Sequence, residues 1–368
     1  MKQGLSLLSE ISMAREKRKK EFKKILISGN EAIAAGAIQA GCNFYAGYPI
    51  TPQNELIAYM AKNLPLSGGV FIQAESELAA INMVYGASAA GARAMTSSSS
   101  PGISLKQEGI SYISGSRLPA VIVNIMRGGP GLGNIAPAQS DYFQATRGGG
   151  HGDYRLIVLA PAGVQEAYDL AQAGFDLADK YRIAVMILGD GILGQMMEPL
   201  ELSVKKPKAP VPKPWALTGC KGRKPNIVKS FFLREGDLER FNLKLQKNYA
   251  IVSKNETRYE SLFLDKAKLI LVAYGTMSRV VKNAINKLRA NNKQVGLIRP
   301  ISLWPFPVEA FQPKNKKVKY LVVEMSYGQM LEDVKLALNG SAQVKFLGRS
   351  GGGFPGEEEI IERVNKLI

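Results

Sequence analysis

The segment from residue 71 to 102, FIQAESELAAINMVYGASAAGARAMTSSSSPG, places two carboxylates between a short strand and a helix that is apolar on most of its surface. Residues 70–72 are the strand-like run, Glu75 and Glu77 follow, and the helical pattern covers residues 78–91. Such a helix predicts burial against a sheet or another subunit. A carboxylate at its beginning is either a plain charge favoured by the helix dipole or a group held where water is scarce.

Length and cysteine usage narrow the class of protein. The 368 residues suit two domains, and no apolar run approaches the roughly 18 residues that a membrane span requires, so we expect no membrane segment. Cys42 and Cys220 form no CxxC pair, and His151 is the single histidine. These residues exclude a cysteine-ligated iron–sulfur cluster, a zinc site and a histidine metal triad within this chain. The few cysteines fit a reducing, cytoplasmic location.

The formal net charge of +17 suggests nucleic acid, but its distribution argues against that partner. Residues 1–24 carry +5, residues 201–260 carry +8 and residues 261–368 carry +8, whereas residues 25–200 carry −4. The basic regions lack the interleaved aromatic side chains on which bases stack. We therefore expect no nucleic-acid partner. A solvated basic surface, or contact with acidic partners such as small electron carriers, fits better.

From residue 25 the sequence alternates between short apolar runs and helical patterns. Strands are predicted at 25–27, 44–47, 70–73, 92–96, 120–126, 156–159 and 183–188. The alternation predicts an α/β fold with a mostly parallel sheet covered by helices on both faces. Such sheets bind ligands at the carboxyl ends of their strands. Thr51, Glu77, residues 97–100 and Arg127 all follow predicted strands, so we expect them to form a site.

The second half of the chain begins with a spacer and ends with another α/β pattern. A Pro/Lys-rich stretch at 205–215 is typical of a linker, and a charged helical segment covers 234–261. The predicted parts are a basic N-terminal arm (1–24), a first α/β domain (25–198), a Pro/Lys-rich linker with a charged helix (199–264) and a smaller α/β domain (265–368). The arm is helical or disordered, with a transit peptide as the less favoured alternative.

Other patterns suggest chemistry but lack its requirements. Gly189-Asp190-Gly191 has no asparagine at the spacing of the Mg²⁺–diphosphate signature of thiamine enzymes, so we interpret it as a turn at a strand end. The glycines at 128–133 and 148–150 lack the spacing of phosphate-binding loops. His151 without a GxSxG motif excludes a serine hydrolase, and it is either a loop residue or a functional group. Arg127 is either an anion clamp or an ordinary loop arginine.

Seven motifs occur in one order along the chain. They are GYPITP (47–52), ESE (75–77), SSSSPG (97–102), MRGGPGLGN (126–134), QSDY (139–142), GGGHGDYRLIVLAP (148–161) and GDGILGQMMEP (189–199). With these motifs the chain resembles, over roughly residues 25–368, the α subunit of 2-oxoacid:ferredoxin oxidoreductases. Within that family it is most similar to the branch that acts on 3-methyl-2-oxobutanoate (2-oxoisovalerate).

The resemblance implies a fold and a division of labour. It implies a doubly wound parallel sheet of the pyrimidine-binding type found in thiamine diphosphate enzymes, followed by a smaller domain like the C-terminal domain of transketolase. A separate β subunit would supply the diphosphate- and Mg²⁺-binding domain, and γ and δ subunits would complete the complex. Mg²⁺ and [4Fe–4S] clusters are therefore expected on partner subunits, with ferredoxin as the electron acceptor. No metal is expected on this chain.

The resemblance also implies the reaction and the residues that support it. Thiamine diphosphate loses its C2 proton to its own aminopyrimidine, and a carboxyl group bonded to ring nitrogen N1′ favours the tautomer that accepts it. Glu77 is expected in that role, with Glu75 as the alternative. Thr51 and Arg127 are expected to bind the substrate carboxylate. The remaining expected cofactor contacts are Pro49, Ile50, Ser99 and Ser100.

Substrate choice rests on the loop that follows Arg127. No second cationic residue lies beside Arg127 in the sequence to hold the distal carboxylate of 2-oxoglutarate, and the GPGLGN loop is small and apolar. The expected reaction is oxidative decarboxylation of a branched-chain 2-oxoacid, with coenzyme A taking up the acyl group. The alternatives are the 2-oxoglutarate member of the family and a catalytically silent, basic scaffold subunit.

Overall fold

The apolar runs become strands of three sheets in the computed structural model, which describes residues 22–204, 212–312 and 317–368. The strands are β1 (Phe22–Ser28), β2 (Phe44–Gly47), β3 (Val70–Gln73), β4 (Ala94–Ser98), β5 (Ala120–Met126), β6 (Ile157–Leu159), β7 (Ala184–Asp190), β8 (Met197–Ser203), β9 (Tyr259–Leu262), β10 (Leu269–Val272), β11 (Val295–Pro300), β12 (Ser302–Trp304), β13 (Lys319–Glu324) and β14 (Gln343–Gly348). The helices are α1 (Gly29–Gln39), α2 (Asn54–Asn63), α3 (Glu77–Ala89), α4 (Ser100–Gly115), α5 (Tyr142–Arg147), α6 (Val164–Tyr181), α7 (Gly191–Gln195), α8 (Asp237–Asn255), α9 (Met277–Ala290), α10 (Gln329–Leu338) and α11 (Glu357–Asn365).

The main sheet has seven strands in the order β12-β6-β7-β5-β4-β2-β3, and β12 alone runs antiparallel to its neighbour. Alternate residues of β5 enter opposite cores: Val121 and Val123 pack with α1 and α6, whereas Ile122 and Met126 pack with α3 and α4. Both faces are therefore buried. The predicted parallel sheet with helices on both faces is confirmed.

Strand β1 is the exception among the predicted strands of the first domain. It lies outside the main sheet and pairs antiparallel with β8, a strand that the sequence did not predict. The exposure along β1 alternates, with Leu26 65% exposed and Ile27 buried. A strand with one apolar face suits a two-stranded layer, and Ile27 and Leu200 pack together over α1 and α6.

The second sheet has five strands in the order β14-β13-β10-β11-β9, with β9 antiparallel to β11. Helices α9 and α11 cover one of its faces. Two strands cross the predicted domain bounds: β9 lies within the predicted linker, and β12 pairs with β6 of the main sheet. The division into four parts stays a prediction.

Hydrogen bonds join the segment at residues 139–142, which follows β5, to the second domain. Gln139 donates its side-chain amide to the carbonyl of Tyr274 at 3.1 Å and accepts from the amide of Met325 at 3.1 Å. The hydroxyl of Tyr142 donates to Asp333 at 2.5 Å. These buried bonds fix the second domain against the edge that carries the predicted site residues.

Helix α3 is buried on one side. Ala80, Ile81 and Val84 face the core, whereas Leu78 is 46% exposed. The predicted burial of this helix is therefore confirmed on the side that faces the sheet. The opposite side, which carries Leu78, is exposed to solvent in this single chain. Most of the predicted N-terminal arm, and residues 205–211 of the predicted linker, lie outside the described residues. Within the described ranges, no helix has both the length and the apolarity needed to cross a membrane.

Candidate active site

Four neighbouring strands of the main sheet end at one edge, and the segments that follow them carry the predicted site residues. In sheet order these strands are β5, β4, β2 and β3. They lead into Arg127, Ser99, Thr51 and Glu77, respectively. Because neighbouring parallel strands bring their carboxyl ends together, these residues share one edge of the sheet. This predicted clustering is confirmed, while the role of each residue stays a prediction.

Glu77 is the first residue of α3, and it is only 6% exposed. Ser76 caps the helix by accepting a hydrogen bond from the amide of Ala79 at 3.1 Å, which fixes the first turn. No donor among the described residues binds the Glu77 carboxylate. A nearly buried carboxylate with no donor from the described residues is open to a donor from a bound group. Glu75 is exposed and lacks this feature.

The absence of a side chain at Gly102 leaves room beside Glu77. A Cβ atom there would lie 2.5 Å from Oε1 of Glu77 and would also collide with Oγ of Ser98. The hydroxyls of Ser98 and Ser99 are buried and have no hydrogen-bond partner among the described residues. The open carboxylate and the two unpartnered hydroxyls fit a bound group that has polar ring atoms.

Replacement of Gly102 by alanine should lower kcat by about tenfold or more, because the added methyl group displaces the Glu77 carboxylate. The measurement is turnover of the assembled enzyme at saturating substrate. Gly174→Ala is the matched control, since a Cβ at this helical glycine makes only ordinary contacts, the nearest at 3.5 Å. Equal turnover of the two variants would show that the space at Gly102 is unimportant.

Lys106 lies beneath Glu77 and has no solvent exposure. Its ammonium donates to the main-chain oxygen of Glu77 at 3.3 Å and to Oγ1 of Thr96 at 3.1 Å. Burial lowers the pKa of Lys106 from 10.5 to about 8, and attraction to the Glu77 charge opposes that shift. The ammonium is therefore charged at neutral pH, although it lies in the protein interior.

We expect the unfolding free energy of the wild-type protein to rise relative to that of Lys106→Met as the pH increases above about 8. Between that value and 10.5 the unfolded chain binds more protons on this side chain than the folded chain does. The gain is at most about 1.4 kcal/mol per pH unit. Chemical denaturation at several pH values measures it, and parallel curves for the two proteins would contradict the lowered pKa.

Arg127 is 6% exposed, and its guanidinium faces main-chain oxygens. It donates to the carbonyl of Thr51 at 3.0 Å and to that of Leu132 at 3.2 Å, while its Nε has no partner. The buried guanidinium groups of Arg93 and Arg299 each pair with two carboxylates. Arg127 has no acidic partner within the described ranges. An unpaired buried cation beside Thr51 is suited to bind an anion.

Ser100 supports the backbone of Arg127. Its Oγ accepts from the amide of Arg127 at 3.0 Å and lies 2.6 Å from Oδ2 of Asp141, to which the amide of Asn124 also donates at 2.9 Å. Burial raises the pKa of Asp141 against the effect of these two hydrogen bonds. The Ser100 hydroxyl is thus engaged within the protein, in contrast to that of Ser99.

A second chain of hydrogen bonds holds the loop that carries Pro49, Ile50 and Thr51. The hydroxyls of Tyr45 and Ser97 lie 2.5 Å apart, and Ser97 donates to Oε1 of Gln53 at 2.6 Å. Gln53 in turn donates to the carbonyl of Tyr48 at 3.4 Å. Pro49 is exposed and Ile50 is half-buried at this edge. These hydrogen bonds therefore hold the loop on the side that faces the sheet, whereas Pro49 stays accessible to solvent.

Two of the other predicted patterns form hydrogen bonds within the protein. His151 lies toward the far end of α4, where its carbonyl accepts from Ser111 at 2.9 Å. Asp190 accepts from the amides of Ile192 and Leu193 at 3.0 Å and from the hydroxyl of Thr276 at 2.6 Å. Gly189 and Asp190 end strand β7, and Gly191 begins helix α7, which Asp190 caps. The predicted turn is therefore wrong, because the strand leads directly into a capped helix. Among the described residues, no group of three or more histidine, cysteine and acidic side chains has the arrangement of a metal site.

The sequence reasoning missed Lys106, Asp141, Gln53 and Asn124. Lys106 offered one signal, since it follows Gly102 by four residues on a helix side whose other buried residues are mostly small or apolar. Asn124 offered another, as a polar residue inside an apolar strand. Both patterns mark a buried polar group that needs a partner.

Two protein families match the sequence of this chain. Residues 35–235 match "Pyruvate flavodoxin/ferredoxin oxidoreductase, thiamine diP-bdg", and residues 267–360 match "Pyruvate:ferredoxin oxidoreductase core domain II". The chain belongs to the 2-oxoacid:ferredoxin oxidoreductase family, and its first domain is a thiamine diphosphate-binding domain. The predicted family, fold class and enzyme class are confirmed.

Individual proteins of known name or structure are similar to this chain. The ketoisovalerate oxidoreductase subunit VorB of Methanothermobacter marburgensis is 50% identical over 93% of this chain and 97% of its own length. The 2-oxoglutarate:ferredoxin oxidoreductase of Magnetococcus marinus, solved with 2-oxoglutarate, coenzyme A and succinyl-CoA, is 28% identical with a TM-score of 0.81 over 93% of this chain and 65% of that one. A split-gene transketolase shares the fold at 13% identity and a TM-score of 0.58, over 92% of this chain and 97% of that one.

Proposed function

We propose that this chain is the α subunit of an enzyme that oxidatively decarboxylates 2-oxoisovalerate to isobutyryl-CoA and passes the electrons to ferredoxin. The observation that carries the proposal is the buried, unpartnered carboxylate of Glu77 at the strand edge, in a chain that is 50% identical to a ketoisovalerate oxidoreductase subunit. The same edge holds the unpaired cation of Arg127 for the substrate carboxylate.

Glu77 is the residue that activates thiamine diphosphate in this proposal. When bound, the cofactor supplies a carbon nucleophile that attacks the 2-oxo carbon and allows carbon dioxide to leave. Glu77 holds a proton at ring nitrogen N1′, and the dry surroundings strengthen that hydrogen bond. The carboxylate without a donor and the lack of a side chain at Gly102, against which that carboxylate packs, support this role.

The other predicted residues position the reactants. Arg127 binds the substrate carboxylate through its fork of donors, and Thr51 completes that site on the adjoining loop. Pro49, Ile50 and Ser99 contact the cofactor, and the unpartnered hydroxyl of Ser99 supports its place in this set. Ser100, also predicted there, is engaged with Asp141 and acts by holding the backbone of Arg127.

The remaining functions belong to partner subunits. We place the diphosphate- and Mg²⁺-binding domain on a β subunit, and the [4Fe–4S] clusters on partner chains among β, γ and δ. Coenzyme A and the 2-oxoacid are the substrates. We propose a cytoplasmic location, which the two free cysteines fit, and no membrane partner. We also propose no nucleic-acid partner, because the basic residues lie mainly outside the domain that carries the site.

The assembled complex should reduce a low-potential dye in a coenzyme A-dependent manner, and faster with 2-oxoisovalerate than with pyruvate or 2-oxoglutarate. The physical reason is the small apolar loop at 130–134 beside Arg127, which has no second cation for a distal carboxylate. Turnover across a panel of 2-oxoacids measures the preference. A preference for pyruvate would retain the mechanism and reject this substrate.

One alternative is a 2-oxoglutarate enzyme, favoured by the TM-score of 0.81 to a structure that holds 2-oxoglutarate. The panel would then show faster turnover with 2-oxoglutarate. The other alternative is a basic scaffold subunit without catalysis. Steeply salt-dependent binding of the purified chain to DNA, together with no turnover by a complex that contains the cofactor, would favour the scaffold.

A further inference from the structure

Lys106 is a buried charge that the proposed mechanism does not use. Its partners are two neutral oxygens, the carbonyl of Glu77 and the hydroxyl of Thr96. A buried ammonium without a carboxylate partner is costly, and proteins keep such groups mainly where the charge acts on a reaction. Lys106 is also a charged residue among apolar neighbours, since Ile103 and Ile110 on the same side of α4 are fully buried.

Lys213, whose side chain is 7% exposed, provides the contrast. Lys213 forms an ion pair with Asp179 at 2.9 Å and donates to the carbonyl of Ala92 at 3.0 Å, as expected of a lysine that holds the fold together. Lys106 makes no ion pair within the described part of the chain. Its charge is therefore available to act on the nearby carboxylate.

Local geometry directs that charge toward Glu77. Lys106 follows Gly102 by four residues, so both lie on the side of α4 that faces α3. Gly102 leaves the space in which the Glu77 carboxylate lies, and Lys106 binds the main chain of the same residue from below. One helix thus sets both the place and the electrostatic surroundings of the carboxylate.

We propose that Lys106 is a positioning residue that prepares Glu77 to activate thiamine diphosphate, a role that rests on the proposed function. It fixes the first turn of α3 through the Glu77 carbonyl, and it holds a positive charge close to the carboxylate. When a proton passes from Glu77 to ring nitrogen N1′, the O–H bond breaks, its electron pair stays on the carboxylate and an N–H bond forms. The ammonium stabilises the carboxylate that remains.

The pH dependence of this effect follows from the groups around Lys106. Glu77 is the ionisable side chain that faces it from α3, and Thr96, its neighbour from β4, does not ionise. Burial lowers the pKa of Lys106 to about 8. The charge, and with it the advantage over an uncharged variant, should therefore decline as the pH rises through that value.

The test is the rate at which the C2 proton of bound thiamine diphosphate exchanges with deuterium in the holoenzyme without a 2-oxoacid. Lys106→Met keeps a long side chain but removes the charge, and we expect exchange to slow by about tenfold or more, with the difference shrinking above pH 8. Lys213→Met, the matched loss of a buried lysine, should lower thermal stability but leave the exchange rate unchanged.

An unchanged exchange rate in Lys106→Met with the cofactor bound would overturn the proposal. If that variant fails to assemble, Thr96→Val decides, because it removes one acceptor from the ammonium and should slow exchange, whereas a wild-type rate would count against the role. Glu77→Gln separates this inference from the proposed function. If Glu77→Gln and Lys106→Met both exchange at the wild-type rate, the proposed cofactor site is rejected. If Glu77→Gln exchanges slowly while Lys106→Met exchanges at the wild-type rate, only the role of Lys106 is rejected.

Discussion

Replacement of Glu77 by glutamine should reduce coenzyme A-dependent dye reduction by about 10²-fold or more, the range associated with loss of an essential proton-transfer group. Glutamine has nearly the same size and fits beside Gly102, so the complex should assemble and bind the cofactor. Its amide can donate a hydrogen bond but cannot release a proton to ring nitrogen N1′. The measurements are kcat with 2-oxoisovalerate and the deuterium exchange rate of the cofactor C2 proton, which should fall together.

Glu75→Gln is the matched control, because it removes the same charge two residues earlier. Glu75 is exposed, so water screens its charge and solvates its carboxylate. We expect near wild-type turnover and exchange from this variant. The reverse pattern, with Glu75→Gln inactive and Glu77→Gln active, would transfer the activating role to Glu75. Loss of cofactor binding in both variants would instead indicate that the segment acts in assembly.

The parts of the fold that the sequence predicted are those with unambiguous burial. Strand β5 was predicted with its observed bounds, because seven successive residues are buried on both faces of the main sheet. The strand ends then placed Thr51, Glu77 and Arg127 on one edge, since parallel strands share a direction. That step needs only the order of strands and helices.

The missed features depend on tertiary contacts. Strand β8 contains Pro199, a residue that weakens a strand prediction. Only its antiparallel pairing with β1 in the structure shows that it is a strand. The hydrogen bond from Lys106 to the Glu77 carbonyl joins residues 29 positions apart. Sequence patterns report the neighbours of a residue along one helix or strand, whereas this contact depends on how α4 packs against α3.

Replacement of Arg127 by glutamine should raise KM for the 2-oxoacid by roughly 30-fold, equivalent to about 2 kcal/mol, because the substrate carboxylate loses a charged fork of donors. Arg127→Lys keeps the charge but not the fork, so we expect an intermediate rise. Steady-state kinetics across substrate concentrations measure both effects. An unchanged KM in Arg127→Gln would show that the guanidinium does not bind the substrate.

Stability provides the second half of this test. Replacing Arg127 breaks two hydrogen bonds to main-chain carbonyls but no ion pair among the described residues, so it should cost the free protein less stability than the loss of a paired arginine. Arg93→Gln is the matched control: its guanidinium binds Asp179 at 2.8 Å and Asp176 at 3.2 Å, and its loss breaks both ion pairs. We expect Arg93→Gln to lower the melting temperature more than Arg127→Gln does and to leave KM unchanged, whereas Arg127→Gln should raise KM. Only an arginine kept for an external anion gives that crossed result, because a structural arginine would lower stability as Arg93 does.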